Sequence, residues 1–193
     1  MCGIILLTSC DQGEQGPQGE QGVGIEKVEI VDGKLIITYT DGKIVNLGPI
    51  VVTSGTPGLE YYLLPDGTYG VKMGTTQYLE EIEIPNLYNN APVTQILEEA
   101  FSDATSLKSI IIPNNVTSIG ERAFGYCTSL TSIIIPDSIT SIGERAFSEC
   151  TDLTSITFEG TVSEWNAIEF GYNWNENVPA TEVVCSDGTV KLK

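Results

Sequence analysis

Hydrophobic and polar residues recur with a fixed period over the middle of the chain. Residues 107–129 (LKSIIIPNNVTSIGERAFGYCTS) and 130–152 (LTSIIIPDSITSIGERAFSECTD) are identical at 16 of 23 positions. A looser copy begins at Leu79 as LEEIEIP and resumes as PVTQILEEAFSDATS after five extra residues, and a further copy begins at Leu153 as LTSITF. Self-similarity at a period of about 20 to 30 residues is typical of a solenoid.

Within one repeat, the apolar positions define the coil. The residues that we expect to point inward are Leu107, Ile110, Ile112, Val116, Ile119, Ala123 and Phe124. Pro113 ends a first short strand because proline cannot extend a sheet ladder. Gly120 is expected to turn the chain, and GERAF to begin a short helical segment. One coil buries too little apolar surface to offset a backbone entropy cost of about 1 to 2 kcal/mol per residue, so only a stack of coils is stable.

Three β-rich runs precede the repeats in residues 25–52, separated by Asp32-Gly33 and Asp41-Gly42. Asp-Gly pairs favour tight two-residue hairpins, in which both turn positions need positive φ. The pattern predicts a three-stranded β meander followed by a linker at residues 53–58. Such a small sheet is marginal alone, so we expect it to pack on the following domain or to associate as a homotrimer through residues 13–52.

Glycine recurs at every third position from residue 13 to residue 22, as GEQGPQGEQG. This is the collagen-like G-x-y pattern, but four triplets are too few to hold a triple helix alone. Residues 11–24 are therefore predicted to be a solvated spacer.

The opening MCGIILLTSCDQG has two interpretations. Cys2, followed by Gly3, would be the nucleophile of an N-terminal amidotransferase, whereas LTSC would be a lipobox with Cys10 as a lipid anchor. The amidotransferase needs a large sandwich fold directly after Cys2, and a glycine-rich spacer begins about ten residues later instead. We therefore interpret residues 1–10 as a truncated signal peptide with a lipobox, and Cys10 as the acylated residue.

Charge and composition exclude several classes of function. Nine Lys plus Arg against 26 Asp plus Glu give a formal net charge of −17, which opposes binding to nucleic acid or to anionic membrane surfaces. The chain contains no His, so Ser-His, Cys-His and most zinc chemistry are excluded. We expect no catalytic residues, no metal and no cofactor, and contact with a membrane only through the lipid anchor.

The residue between the two inward positions of each repeat strand should point outward. This column consists of Glu83, Ile111, Ile134 and Thr157. Exposed isoleucines in it fit either lateral packing in a parallel sheet or a recognition strip for a protein ligand. An alternative glycan-binding site would use Tyr172 and Trp174, although both also suit the packing of a C-terminal cap.

Other recurring positions have structural interpretations. Cys127 and Cys150 occupy one column of adjacent coils, so they are small buried side chains or a disulfide. Glu121-Arg122 and Glu144-Arg145 recur in register as a solvated salt-bridge ladder, in which each pair contributes less than about 1 kcal/mol. Trp165, with neighbouring apolar residues, is expected to close the end of the solenoid.

The pattern LxSIxIPxxVTSIGxxAFxxCxS resembles the BspA-type leucine-rich repeat of surface proteins from anaerobic Gram-negative bacteria. The resemblance covers about residues 59–193: LEYYLLPDGTYGV resembles the hairpin cap (59–78), the repeats occupy 79–157, and GTVSEWNAI with VVCSDGTVKL resembles the closing cap (158–193). It implies a right-handed, mainly β leucine-rich-repeat solenoid of about four coils with short helical turns.

The order of lipobox, spacer, hairpins and repeats resembles lipoproteins of the same bacteria. The expected protein is anchored to the outer membrane, faces the cell surface or the periplasm, and binds a host or bacterial protein in adhesion or recognition. The alternatives are a glycan-binding module and a purely structural spacer or trimer.

Overall fold

The structure is a computed structural model that describes residues 25–31, 34–49 and 55–192. These residues fall into two compact units that divide between residues 51 and 52. Cys2, Cys10, the spacer at 11–24 and the Asp32-Gly33 turn lie outside the described residues, as does part of the linker at 53–58. The predictions for these segments remain predictions.

The first unit is a three-stranded antiparallel sheet. Its strands follow each other in chain order as β1 (Ile25–Val31), β2 (Lys34–Tyr39) and β3 (Ile44–Pro49). The β1 and β2 register runs from Ile25 opposite Tyr39 to Val31 opposite Lys34. This is the meander that the sequence predicts.

The connection at Asp41-Gly42 differs from the predicted two-residue turn. Gly42 N–H donates to the Tyr39 carbonyl and Tyr39 N–H donates to the Lys43 carbonyl, each at 2.9 Å. In this connection only Gly42 has a positive φ, of 80°. Three residues therefore span the turn, with glycine in the left-handed position, and Asp41 instead accepts a hydrogen bond from Lys43 N–H at 2.9 Å.

The second unit begins with an antiparallel hairpin of β4 (Glu60–Leu63) and β5 (Tyr69–Lys72). Its tight turn contains Gly67 at a φ of 84°. β5 pairs in parallel with β8, so the hairpin continues directly into the solenoid. This pairing supplies hydrogen-bond partners for the backbone of β8 at this end of the stack.

The solenoid then alternates between two sheets. The strands are β6 (Glu81–Glu83), β7 (Leu87–Tyr88), β8 (Ala91–Ile96), β9 (Ser109–Ile111), β10 (Ser118–Ile119), β11 (Ser132–Ile135), β12 (Ser141–Ile142), β13 (Ser155–Phe158), β14 (Glu169–Phe170), β15 (Glu182–Cys185) and β16 (Gly188–Lys191). One sheet has the order β14-β12-β10-β8-β5-β4. The other side of each coil carries β6-β9 and β11-β13-β15-β16.

Parallel pairing of equivalent strands sets the repeat in register. Ser118 lies opposite Ser141 in β10 and β12, and Ser132 lies opposite Ser155 in β11 and β13. Residues 23 apart in the sequence are therefore neighbours in space, as a solenoid requires.

The core is a series of stacked, fully buried columns. Phe101, Phe124 and Phe147 form one such column, with ring centroids 5.4 Å and 5.1 Å apart and planes 7° from parallel. Leu107 and Leu130 are likewise wholly buried in equivalent positions. Each coil thus covers the apolar face of the next, which explains why the repeat is unstable alone.

The GERAF segments form turns and not the short helix that the sequence predicts. Arg122 and Tyr126 have φ values of 47° and 61°, and a residue in the left-handed region interrupts an α-helix. The Phe124 amide donates to the Ala146 carbonyl of the next coil at 2.8 Å, so backbone groups pair between coils and not within a helix.

The glycine of the TSIG motif begins a turn, as predicted, and has a second role. The Gly120 and Gly143 carbonyls accept from the Ala123 and Ala146 amides at 3.3 Å, but neither glycine has a positive φ. A Cβ on Gly143 would lie 2.5 Å from the backbone nitrogen of Glu121, and one on Gly120 would lie 2.6 Å from that of Glu98. Glycine is required because adjacent coils approach each other closely at this column.

The solenoid makes about five turns, against the four that the repeats predict. The additional turn contains β15, which pairs in parallel with β13 although its sequence has lost most of the repeat pattern. The short helix α1 (Val162–Trp165) lies between β13 and β14, where the preceding coil has a turn closed by the Ile139 amide and the Pro136 carbonyl. Thr161 caps the helix together with Glu164. The Thr161 amide, which donates to the Glu164 carboxylate at 2.8 Å, lowers the pKa of that carboxyl.

An aromatic cluster closes the C-terminal end. Trp165 is 3% exposed and packs edge-on against Phe158, at 5.3 Å between ring centroids. Trp174 lies 5.9 Å from Trp165 and 6.1 Å from Phe147. Trp165 therefore lies in the position that the sequence predicts for it, and Trp174 extends the phenylalanine column.

Candidate functional site

The outward column of the repeat strands spans two sheets, and we call it the front row: Glu83 and Ile111 on β6-β9, and Ile134, Thr157 and Val184 on β11-β13-β15. Glu83 lies opposite Ile111, Ile134 opposite Thr157, and Thr157 opposite Val184. The strand geometry fixes their direction, because the alternate residues Ile110 and Ile133 are buried in the core.

The two isoleucines in this row are strongly exposed. Ile111 is 62% and Ile134 is 56% exposed. Neighbouring outward positions offer little cover, since Ser109 and Ser132 carry small side chains. The row therefore presents large apolar side chains to solvent on a backbone that parallel pairing and core packing hold in place.

Val184 also belongs to the row but was not among the residues predicted from the sequence. It is 45% exposed and extends the apolar surface by one strand. The signal that could have identified it is the alternation in EVVC, where Val183 and Cys185 are buried on either side of it.

A shallow depression of about 420 Å³ lies along the carboxyl ends of the front strands. Ile111 and Ile134 lie in its centre, and Asn86, Pro113 and Asn114 border it. Carboxylates mark its two sides, Glu83 on β6 and Glu159 after β13. The structure thus brings together three of the four predicted residues, since Thr157 does not line this depression.

Glu83 lies on β6, an edge strand, and its backbone is already paired with Thr56. Its amide donates to Thr56 Oγ1 at 2.7 Å, and its carbonyl accepts from Thr56 N–H at 2.8 Å. The side chain of Glu83, which is exposed, is therefore the part of this residue that a ligand can reach.

The alternative glycan residues lie in different environments. Tyr172 is 69% exposed, and its carbonyl accepts from the Arg145 amide at 3.1 Å. Trp174 is half-buried in the aromatic cluster, 5.1 Å from Phe170. The structure does not bring the two rings together as a stacking platform.

A second depression, of about 280 Å³, lies on the turn side between Arg122, Tyr126 and Arg145. Arg122 pairs with Glu99 at 3.8 Å and with Glu121 at 3.6 Å. Arg145 pairs with Glu144 at 3.1 Å and with Glu176 at 3.6 Å. Acidic side chains surround both guanidinium groups, so these residues form the salt-bridge ladder that the sequence predicts. The positive charge of the two arginines is largely neutralised, which leaves little attraction for an anionic ligand.

Cys127 and Cys150 are free thiols, each buried and each donating to a phenylalanine carbonyl of the preceding coil. The Sγ to oxygen distances are 3.1 Å from Cys127 to Phe101 and 3.0 Å from Cys150 to Phe124. The neighbouring Cys150 thiol, together with burial, raises the pKa of the Cys127 thiol. The alternative of small buried side chains is therefore the one that the structure contains.

Within residues 25–31, 34–49 and 55–192, no group of three or more acidic or Cys side chains could hold a metal ion. Across the same ranges, no helix has the length and apolar character that crossing a bilayer requires.

The fold and the front row define the class: a leucine-rich-repeat solenoid with an exposed sheet face. The family model "BspA type Leucine rich repeat region (6 copies)" matches residues 73–181, and the chain belongs to this family. Proteins of this repeat class are typically non-enzymatic scaffolds and commonly mediate protein interactions. A comparison with curated proteins gave no match.

Solved structures show the same architecture. A leucine-rich repeat protein from Bacteroides capillosus ATCC 29799 is 25% identical with a TM-score of 0.56, over 69% of this chain and 99% of that chain. One from Bacteroides ovatus ATCC 8483 is 25% identical with a TM-score of 0.50, over 67% of this chain and 36% of that chain. The T. pallidum leucine rich repeat protein is 21% identical with a TM-score of 0.51, over 66% and 70%.

Proposed function

We propose that the protein is a surface recognition module that binds a protein partner through the front row. The observation that carries this proposal is the pair of exposed isoleucines, Ile111 and Ile134, at equivalent positions of adjacent coils. Large apolar side chains held at the surface favour association, because covering them removes apolar area from water.

The rigidity of the row supports the same function. The residues behind it, such as Ile110 and Ile133, are buried, so the front strands are fixed before any partner arrives. A preformed surface loses little conformational entropy on binding. Protein interaction is also common among leucine-rich-repeat proteins.

A double substitution of the front row tests this function. Ile111→Glu with Ile134→Glu is expected to abolish capture of surface-protein partners from host or bacterial extracts, because it buries two carboxylates in the interface. Circular dichroism should be unchanged, since both side chains point away from the core. Capture is measured by pulldown with quantitative mass spectrometry.

The matched control is Tyr78→Glu with Tyr126→Glu, which adds the same charge at two exposed positions outside the row. It should retain the captured proteins. Equal capture by the front-row variant and the wild type would eliminate this site, and an empty pulldown from the wild type would favour a structural spacer.

A glycan-binding module is a second candidate, and the exposure of Tyr172 is the observation that favours it. Trp174, its proposed companion, packs within the aromatic cap. A change in tryptophan fluorescence on addition of oligosaccharide would support this candidate over the protein-binding one.

We further propose that Cys10 is acylated and anchors the protein to the outer membrane, with the solenoid facing the cell surface. The sequence LTSC and the polar spacer after it support this proposal. Several acyl chains, at about 0.8 kcal/mol per buried CH₂, make such an anchor durable. Metabolic labelling with a fatty-acid analogue should mark the wild type and leave Cys10→Ala unlabelled, and equal labelling would refute the anchor.

Trimerisation through residues 13–52 also remains a proposal. Ile25 and Ile44 of the three-stranded sheet are 59% and 66% exposed, and an association of copies would cover them.

A further inference from the structure

We propose that the depression lined by Ile111 and Ile134, here called the front depression, recognises an extended protein segment. The segment has the pattern basic-x-apolar-x-basic, with Lys or Arg at positions i and i+4 and a large apolar residue at i+2. This inference rests on the proposed function of the front row and specifies the chemistry of its partner. It follows from the floor of the depression, from the charges at its sides and from the spacing between them.

The floor selects an apolar side chain. Ile111 and Ile134 lie side by side in the centre of the depression, on adjacent coils. Neighbouring strands are about 4.8 Å apart, so one large aliphatic or aromatic side chain can contact both isoleucines. Pro113, which is buried, adds an apolar wall to the same depression.

The sides select positive charge. Glu83 and Glu159 are both exposed and line the depression, and none of the described residues that line it is Lys or Arg. Lys108, which directly precedes β9, pairs with Glu80 at 2.9 Å. An apolar floor between two carboxylates is complementary to a segment with an apolar centre and basic flanks.

The spacing sets the pattern. Glu83 lies on β6 and Glu159 follows β13, so they are three strands apart, roughly 14 Å at the usual strand separation. Glu159 also lies two residues beyond the front-row residue Thr157, which raises the separation to roughly 16 Å. An extended chain advances roughly 13 to 14 Å over four residues and places residues i, i+2 and i+4 on one side. The long side chains of Lys or Arg at i and i+4 span the remaining difference and reach the two carboxylates, while residue i+2 covers the isoleucines.

At the β6 edge, strand addition next to the depression is blocked. Thr56 occupies the backbone amide and carbonyl of Glu83, so a segment cannot pair with this residue. The proposed segment therefore lies across the front strands and is recognised through side chains. The net charge of −17 also opposes an anionic partner such as nucleic acid.

A labelled peptide tests the pattern by fluorescence anisotropy with the full chain. GSKSISKSG has the predicted spacing. The comparison peptides are GSESISESG, in which glutamate replaces each lysine, and GSSKIKSSG, in which the two lysines directly flank the isoleucine. We expect binding of the first peptide, no binding of the second, and weaker binding of the third. Raising the salt to about 1 M should weaken the first interaction, because exposed charge pairs are screened.

Matched variants locate the contact. Glu83→Gln with Glu159→Gln should weaken binding of GSKSISKSG about three- to tenfold, since two exposed ion pairs are lost. Glu98→Gln with Glu169→Gln makes the same change of charge outside the front row and should have no effect. Equal binding of all three peptides, or no effect of the Glu83 and Glu159 variant, would overturn the proposal.

Failure of this inference is distinguishable from failure of the proposed function. If the front-row isoleucine variant loses its captured partners but GSKSISKSG does not compete for them, the pattern is wrong and the function stands. If the isoleucine variant keeps every partner, the front row is not the binding surface and both are wrong.

Discussion

Gly143→Ala is expected to lower the free energy of unfolding of the solenoid by about 3 kcal/mol, at the upper end of the usual cost of overpacking. The added Cβ would lie 2.5 Å from the Glu121 nitrogen and 2.6 Å from the Gly120 carbonyl carbon. Both atoms belong to the backbone of the preceding coil, so no flexible side chain can move aside. The two coils would have to separate, which weakens their parallel pairing.

Urea denaturation followed by circular dichroism measures this loss. Gly125→Ala is the matched control, because a Cβ there would meet its nearest atom, the Arg122 carbonyl oxygen, at 3.4 Å. It should change stability by less than about 1 kcal/mol. Equal stability of the two variants would contradict the close approach of coils at Gly143.

The role of Gly143 illustrates which parts of the fold the sequence could predict. Leu130, Ile133 and Phe147 recur with the period, and their apolar character alone predicts that they point inward. A glycine within a repeat is compatible with a turn and with close backbone approach, and only the position of the adjacent coil reveals the second. The sequence therefore predicted the turn that begins at the TSIG glycine but not the close approach that requires glycine there.

The same distinction explains the missing helix and the additional coil. The GERAF segment has good helix formers, yet Arg122 adopts a positive φ because its amide pairs with the Glu144 carbonyl of the next coil at 2.9 Å. Tertiary pairing overrides local propensity here. Similarly, β15 joins the sheet through its backbone, which needs only alternating apolar residues and not the full repeat motif.

The sequence could predict those residues of the candidate site whose outward direction follows from the alternation of side chains along a strand. Ile111 and Ile134 were predicted to face outward because their neighbours in the strand face inward, and they are exposed. The contribution of Glu159 was not predictable, since it follows its strand and reaches the depression only because the stack places it three coils from Glu83. To predict that residues so far apart in the chain line one depression, the register between coils must be known.

Phe124→Ala is expected to have the largest effect on stability, a loss of about 4 to 5 kcal/mol. Phe124 is wholly buried, and replacing a buried phenylalanine with alanine costs about 3 to 5 kcal/mol in lost transfer energy and cavity formation. The ring also stacks on Phe101 and Phe147, and each aromatic pair contributes about 0.5 to 1.5 kcal/mol beyond its buried area. Domains are stable by only about 5 to 15 kcal/mol, so this loss removes a large fraction of the total.

The position of each ring in the column provides the sharpest comparison. Phe101→Ala should cost less than Phe124→Ala, because Phe101 stacks on one phenylalanine of this column and Phe124 stacks on two. Tyr126→Ala, two residues away and exposed, should change stability by less than about 1 kcal/mol. Thermal and urea unfolding of the three variants measure this order. Equal losses for Phe101→Ala and Phe124→Ala would mean that burial alone, and not stacking between coils, determines the energy of the column.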